Sequence, residues 1–185
     1  MINDIASESA KLHELTGAEF SRQVERIANM HIFHPINGEE FIYGIGGEMG
    51  RDYLNQLRAA RKLVVLGYKV FLLPNPKSVR TPDFIVERKG IYRIYDLKTI
   101  TGESSVINRL KESIGQCNHI VLNLATNYDS RKLSSDIKQY FSMNPNAAEV
   151  MVFKGGRQIV VKRNFALNPN FIRDFMMRYN KRKSR

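Results

Sequence analysis

Two short apolar runs, residues 83–87 and 91–99, are separated only by Arg88-Lys89-Gly90. This pairing constrains the fold more than any other feature of the chain. Runs rich in Ile, Val, Phe and Tyr that lie so close can pair only as a β-hairpin. A strand has a side-chain period of two, so Asp96 and Lys98 point to one face. If the hairpin turns tightly at Lys89-Gly90, Asp83 falls directly opposite Asp96, and opposed residues share a face. A one-residue change in the turn would send Asp83 to the other side. Lys-Gly is not the favoured two-residue turn, so the convergence of the three polar side chains depends on that turn.

The flanking sequence supplies the other elements. Met49, Tyr53, Leu57, Ala60 and Val64 recur at helical spacing, which predicts a helix over 48–66 stopped by Gly67. A strand is expected over 68–73. After the hairpin come a helix over 103–116 with Ile107, Leu110 and Ile114 inward, a buried strand over 119–125 and a helix over 130–141. A second hairpin, 150–153 and 158–161, turns through Gly155-Gly156. A basic helix follows over 168–179, then a charged tail over 181–185. The order predicts an α/β fold, a mixed central sheet flanked by helices. No repeat or low-complexity tract interrupts it.

Residues 1–43 read as a separate acidic helical segment or linker before a domain over 44–185. An amphipathic helix is expected over 8–30, a loop at 31–38, and a flexible joint at Gly44, Gly46 and Gly47. The length of 185 residues suits one compact domain better than two. With 43% apolar residues, ten Phe and eight Tyr, the chain can build a core without Trp. No run reaches the ~18 apolar residues of a membrane span, and the N-terminus lacks the pattern of a secretory signal. The lone Cys117 excludes an internal disulfide and a multi-cysteine metal site, and reads as a small buried hydrophobe.

Charge narrows the function. The net charge is +11, and it is uneven. Residues 1–47 hold three basic residues against seven acidic, and the remainder 26 against 11. The body exceeds the charge that solubility alone asks for, which points to a polyanionic partner, nucleic acid ahead of an acidic protein.

Within that basic body, Asp83, Asp96 and Lys98 suggest chemistry. Singly each reads as a turn residue or a solvated strand face. Two carboxylates side by side repel unless a cation lies between them, and hard oxygen ligands suit Mg²⁺ or Mn²⁺. Such a metal polarises a phosphoryl oxygen and activates water. Lys98 would orient that water or stabilise transition-state charge. Glu48, at the start of the long helix, is the expected third carboxylate.

Glu48, Pro82-Asp83 and Asp96-Leu97-Lys98 resemble the motif of the PD-(D/E)xK nuclease superfamily, with its restriction-endonuclease-like core. The surrounding Gly67-Tyr68-Lys69-Val70, Pro82-Asp83-Phe84-Ile85-Val86, Tyr95-Asp96-Leu97-Lys98-Thr99 and His119-Ile120-Val121-Leu122-Asn123-Leu124 are similar to the C-terminal nuclease toxin domains of contact-dependent growth inhibition and related polymorphic toxin systems. The resemblance covers residues 44–162. It implies Glu48, Asp83 and Asp96 as metal ligands, Lys98 as the catalytic lysine and Gln116 as a polar helper. Mg²⁺ is the expected metal, with Mn²⁺ and Zn²⁺ as alternatives. It further implies an RNase acting in the bacterial cytoplasm after delivery, tRNA as leading substrate, and an acidic immunity protein as partner. A DNase of the same superfamily and a non-catalytic nucleic-acid-binding module remain the competing readings.

Arg80 and Thr99 are candidate phosphate contacts, although Arg80 equally suits a solvated loop and Thr99 and Thr101 a helix cap. Arg173, Arg178, Lys181, Arg182 and Lys183 make the C-terminal end basic enough to track a nucleic-acid backbone. Phe171 and Tyr179 could stack on bases or pack in a core. His119 reads as a core or edge histidine. His31 and His34 lack the further ligands that zinc needs.

Overall fold

The hairpin turns where the convergence requires it. In the computed structural model, which describes residues 2–45, 52–76, 79–102 and 105–181, Arg88 pairs with Ile91 and only Lys89 and Gly90 lie between them. Their φ values are 53° and 76°, the positive pair that a type I′ turn needs to match strand twist. Gly90 adopts this at no steric cost, whereas Lys89 bears the cost of a Cβ in the left-handed region. The Glu87 carboxylate accepts from the Gly90 amide at 2.6 Å and closes the turn.

The chain divides into two compact units, Met1–Leu97 with Gly115–Cys117, and Lys98–Ile114 with Asn118–Arg185. In the first unit, helices α1 (Ile2–Ala10) and α2 (Gly17–Ala28) precede strands β1 (Phe33–Pro35) and β2 (Ile42–Ile45). Helix α3 (Tyr53–Val65) and strands β3 (Lys69–Leu72), β4 (Phe84–Arg88) and β5 (Ile91–Ile100) follow. Strand β5 is continuous, and its residues from Lys98 onward belong to the second unit. Strands β2 and β3 are parallel, as the crossover helix α3 between them requires, while the β1–β2, β3–β4 and β4–β5 pairs are antiparallel.

Residues 1–43 do not stand apart. Ile5, Leu12, Val24, Ile27, Ala28 and Phe33 share one buried cluster with Phe71, Leu73, Ile85, Ile94 and Cys117. The single helix expected over 8–30 is instead α1, a 3₁₀ turn (Leu12–Glu14) and α2. Gly17, at φ 56°, starts the second helix after Thr16 and lets the chain fold back. Strand β1 occupies part of the expected loop at 31–38; it is three residues long and ends on Pro35, so no alternation could reveal it. Gly44 lies in β2, while Gly46 and Gly47 fall outside the described residues.

The second unit contains α4 (Val106–Lys111), β6 (His119–Leu124), α5 (Ser130–Met143), β7 (Glu149–Lys154), β8 (Arg157–Lys162), α6 (Arg163–Ala166) and α7 (Phe171–Asn180). Strands β6 and β7 are parallel across α5, and β7 and β8 form the expected hairpin. Each unit is therefore α/β with a mixed sheet and flanking helices, as the sequence predicts. Helix α4 is shorter than expected and leaves Ile114 exposed. Asp129 caps α5 by accepting from the Lys132 amide at 2.7 Å. The Arg163 guanidinium donates to the carbonyls of Phe141 and Asn144 at the other end of α5.

Phe171, Phe175 and Tyr179 fall on one face of α7, four residues apart, and are fully buried with edge-on or stacked neighbours. Burial of each aromatic is worth ~1.5–3 kcal/mol. Packing, not base stacking, accounts for Phe171 and Tyr179. The Tyr179 hydroxyl donates to the Tyr128 carbonyl at 2.9 Å and ties α7 to the start of α5.

Candidate active site

The β4–β5 register pairs Phe84 with Tyr95, so the next opposed pair is Asp83 with Asp96. Both are buried. The Asp83 backbone is held from two sides: its amide donates to the Tyr95 carbonyl at 3.0 Å, and its carbonyl accepts from the Leu73 amide at 2.9 Å. Pro82, also buried, fixes the approach to this position.

Directly opposed residues of a strand pair share a face, so the two carboxyls are neighbours on one side of the hairpin. Burial, and after it the Asp96 charge, push the Asp83 carboxyl up from 3.8 to about 7. Two donors oppose this. The Leu97 amide donates to Asp83 Oδ2 at 2.7 Å, and Gln56 Nε2 donates to Oδ1 at 2.7 Å. Both favour the charged form. The site thus keeps a carboxylate pair that resists full ionisation while its geometry is held by donors suited to the ionised state.

Gln56 is a member that the sequence reasoning missed. It lies on α3 beside Leu57, Ala59, Ala60 and Leu63, all buried. A lone amide in the apolar stripe of a helix was the available signal, because buried polar groups need partners. Val64, expected inward, is half-buried, and Leu63 takes its place.

Lys98 follows two residues after Asp96 and is also buried. Strand alternation puts it on the side of β5 that Asp96 takes. Thr99 takes the opposite side, and its hydroxyl is buried with no partner among the described residues. Gln116 donates from Nε2 to the Thr81 carbonyl at 2.7 Å. The Thr81 hydroxyl in turn donates to the Pro74 carbonyl at 2.8 Å. Gln116 therefore braces the backbone leading into Pro82-Asp83.

Glu48, Arg182 and Lys183 lie outside the described residues. Among those described, no cluster of three His, Cys, Asp or Glu could hold a metal ion. Arg80 is exposed in the segment before Thr81. Arg173 pairs with Asp174 at 3.2 Å. Arg178 covers the Phe165 ring at 4.3 Å. Lys181 is exposed just beyond α7. His31 and His34 are exposed and His119 is half-buried. Cys117 is buried and donates from Sγ to the Ile94 carbonyl at 3.3 Å. No helix among the described residues is long and apolar enough to cross a membrane.

A search of curated proteins returns no match. Among solved structures, the chain is similar to one described as a CdiA-CT/CdiI toxin and immunity complex from Burkholderia pseudomallei. The identity is 20%, the match covers 65% of this chain and 98% of that one, and the TM-score is 0.47. Residues 80–159 match the family model of the contact-dependent growth inhibition CdiA C-terminal domain, a span that starts just before Asp83 and takes in Asp96, Lys98 and Gln116.

Proposed function

We propose that this chain is a toxin domain of interbacterial competition that hydrolyses phosphodiester bonds with a divalent metal, tRNA being the leading substrate. The observation that carries the reading is the buried Asp83–Asp96 pair, two carboxyls opposed on the hairpin that turns at Lys89-Gly90. The similarity of residues 80–159 to a growth-inhibition domain supports the biological setting.

The donor set fits a hard cation. Two carboxyls that repel when ionised, with Asp83 raised by burial and by Asp96, gain most from a shared positive charge. Asp83 and Asp96 would hold Mg²⁺, or Mn²⁺ or Zn²⁺ in its place, with Glu48 as third ligand. When bound, the metal would supply Lewis-acid stabilisation of a phosphoryl oxygen and a more acidic water. The remaining roles fall to the chain itself. Gln56 and the Leu97 amide orient the Asp83 carboxylate. Gln116 keeps the preceding backbone in place. Lys98 offers an ammonium to charge developing on the phosphoryl group. The basic body attracts the polyanion by long-range steering.

Such an activity would act in the bacterial cytoplasm, where tRNA resides. A cell that makes the toxin needs protection from it, and an acidic immunity protein complements a net charge of +11.

Purified chain incubated with tRNA and with plasmid DNA, in Mg²⁺ and in EDTA, tests the reading. The expected result is Mg²⁺-dependent cleavage of tRNA, abolished in folded Asp83→Ala and Asp96→Ala variants. Cleavage of plasmid alone would transfer the reading to a DNase. Cleavage of neither, with any divalent metal, would leave only a binding module.

A further inference from the structure

The second unit carries a basic cleft that takes no part in the carboxylate site. It has a volume of about 490 Å³ and is lined by Leu124–Asn127, which follow β6, and by Lys154–Arg157, which span the β7–β8 turn. It therefore opens at the carboxyl ends of two parallel strands, where α/β sheets commonly bind ligands.

The charge arrangement there is unusual. Lys154 and Arg157 are directly opposed across the hairpin, separated only by Gly155-Gly156. Like charges directly opposite destabilise a hairpin. Both cations are nonetheless held in place. Lys154 Nζ lies 3.7 Å from the centre of the Tyr179 ring, and the Arg157 guanidinium donates to the carbonyls of Tyr179 and Lys181. Burial, followed by the neighbouring Arg157 charge, lowers the Lys154 ammonium below the usual lysine range. An anion in the cleft would relieve that repulsion. Thr126 and Asn127 are among the lining residues, and two adjacent glycines leave the turn backbone open to close approach.

We propose that this cleft binds a phosphate group of the nucleic-acid backbone, with Lys154 and Arg157 as its cationic partners. The choice of nucleic acid as the phosphate's source rests on the nuclease reading above. Phosphate recognition by the cleft does not.

The test uses ¹⁵N-labelled full-length Asp83→Asn chain, so that no cleavage is needed. Sodium phosphate should move the Gly155 and Gly156 amide resonances saturably, while sodium chloride of equal ionic strength should not. Lys154→Gln should weaken phosphate binding by about tenfold, the loss expected for one charge-assisted contact. Lys154→Arg should retain it and so guards against a folding defect. Single-stranded RNA should then bind the Lys154→Gln chain more weakly, with the slope of log affinity against log salt reduced by ~0.7. Equal responses to phosphate and chloride, or unchanged affinity in Lys154→Gln, would overturn the site. Phosphate binding with an unchanged RNA salt slope would overturn the backbone assignment in favour of free phosphate or a nucleotide. Failure of tRNA cleavage in the earlier assay would leave the phosphate titration untouched.

Discussion

Asp83→Asn separates the electrostatic cost of the carboxyl pair from its hydrogen bonds. In the metal-free chain the Asp83 carboxyl is raised from 3.8 to about 7, by burial first and by Asp96 second. A group raised on folding contributes stability that is complete below its unfolded value and lost as pH climbs through its folded one. At ~1.4 kcal/mol per unit, full ionisation costs about 4 kcal/mol, of which about 2–3 kcal/mol falls between pH 5 and pH 8. Asparagine escapes this cost but has one carbonyl oxygen where aspartate has two. The Leu97 amide and Gln56 both donate to Asp83, so one loses its acceptor, at ~1–3 kcal/mol. Urea unfolding in EDTA should therefore find Asp83→Asn less stable than the parent at pH 5 and equal or more stable at pH 8. Mg²⁺ at about 100 times its dissociation constant should stabilise the parent at pH 8 by ~2.7 kcal/mol and leave the variant unchanged. A stability difference that stays constant with pH, or moves the other way, would refute the reasoning.

Three further outcomes follow from the same geometry. Lys89→Gly relieves a side chain at φ 53° and should raise stability by ~1 kcal/mol in denaturant unfolding, whereas Gly90→Val should lower it by at least as much. Gln56→Leu removes a donor that favours the ionised Asp83; the acidic limb of the cleavage profile should move to higher pH, and an unmoved limb would rule out a positioning role. Phe175→Ala opens a cavity in the α5–α7 core, and thermal unfolding should report a loss of ~3–5 kcal/mol.

The elements legible in the sequence were those with strong periodicity. The stripe of α3, the β4–β5 and β7–β8 hairpins, the apolar β6 and the face of α5 could each be read from spacing, because each buries one side against a core. The chain between 8 and 45 was harder. Its helices are short, its first strand ends on a proline, and its attachment to β3, β4 and β5 comes through scattered apolar residues such as Leu12, Ile27 and Phe33. Those contacts join positions far apart in sequence, and no local pattern encodes them.

The carboxylate site divides along the same line. The sequence by itself determined that Asp96 and Lys98 share a strand face, since alternation is a local property of the backbone. Whether Asp83 joins Asp96 was decided by tertiary structure, through the positive φ values at Lys89 and Gly90. Sequence preference ranked that turn low, and cross-strand pairing overrode it. Gln56 on the carboxylate and Gln116 on the Thr81 carbonyl were likewise decided only by tertiary structure. Their partners lie 27 and 35 residues away, and the need of a buried amide for a partner does not say which partner it finds.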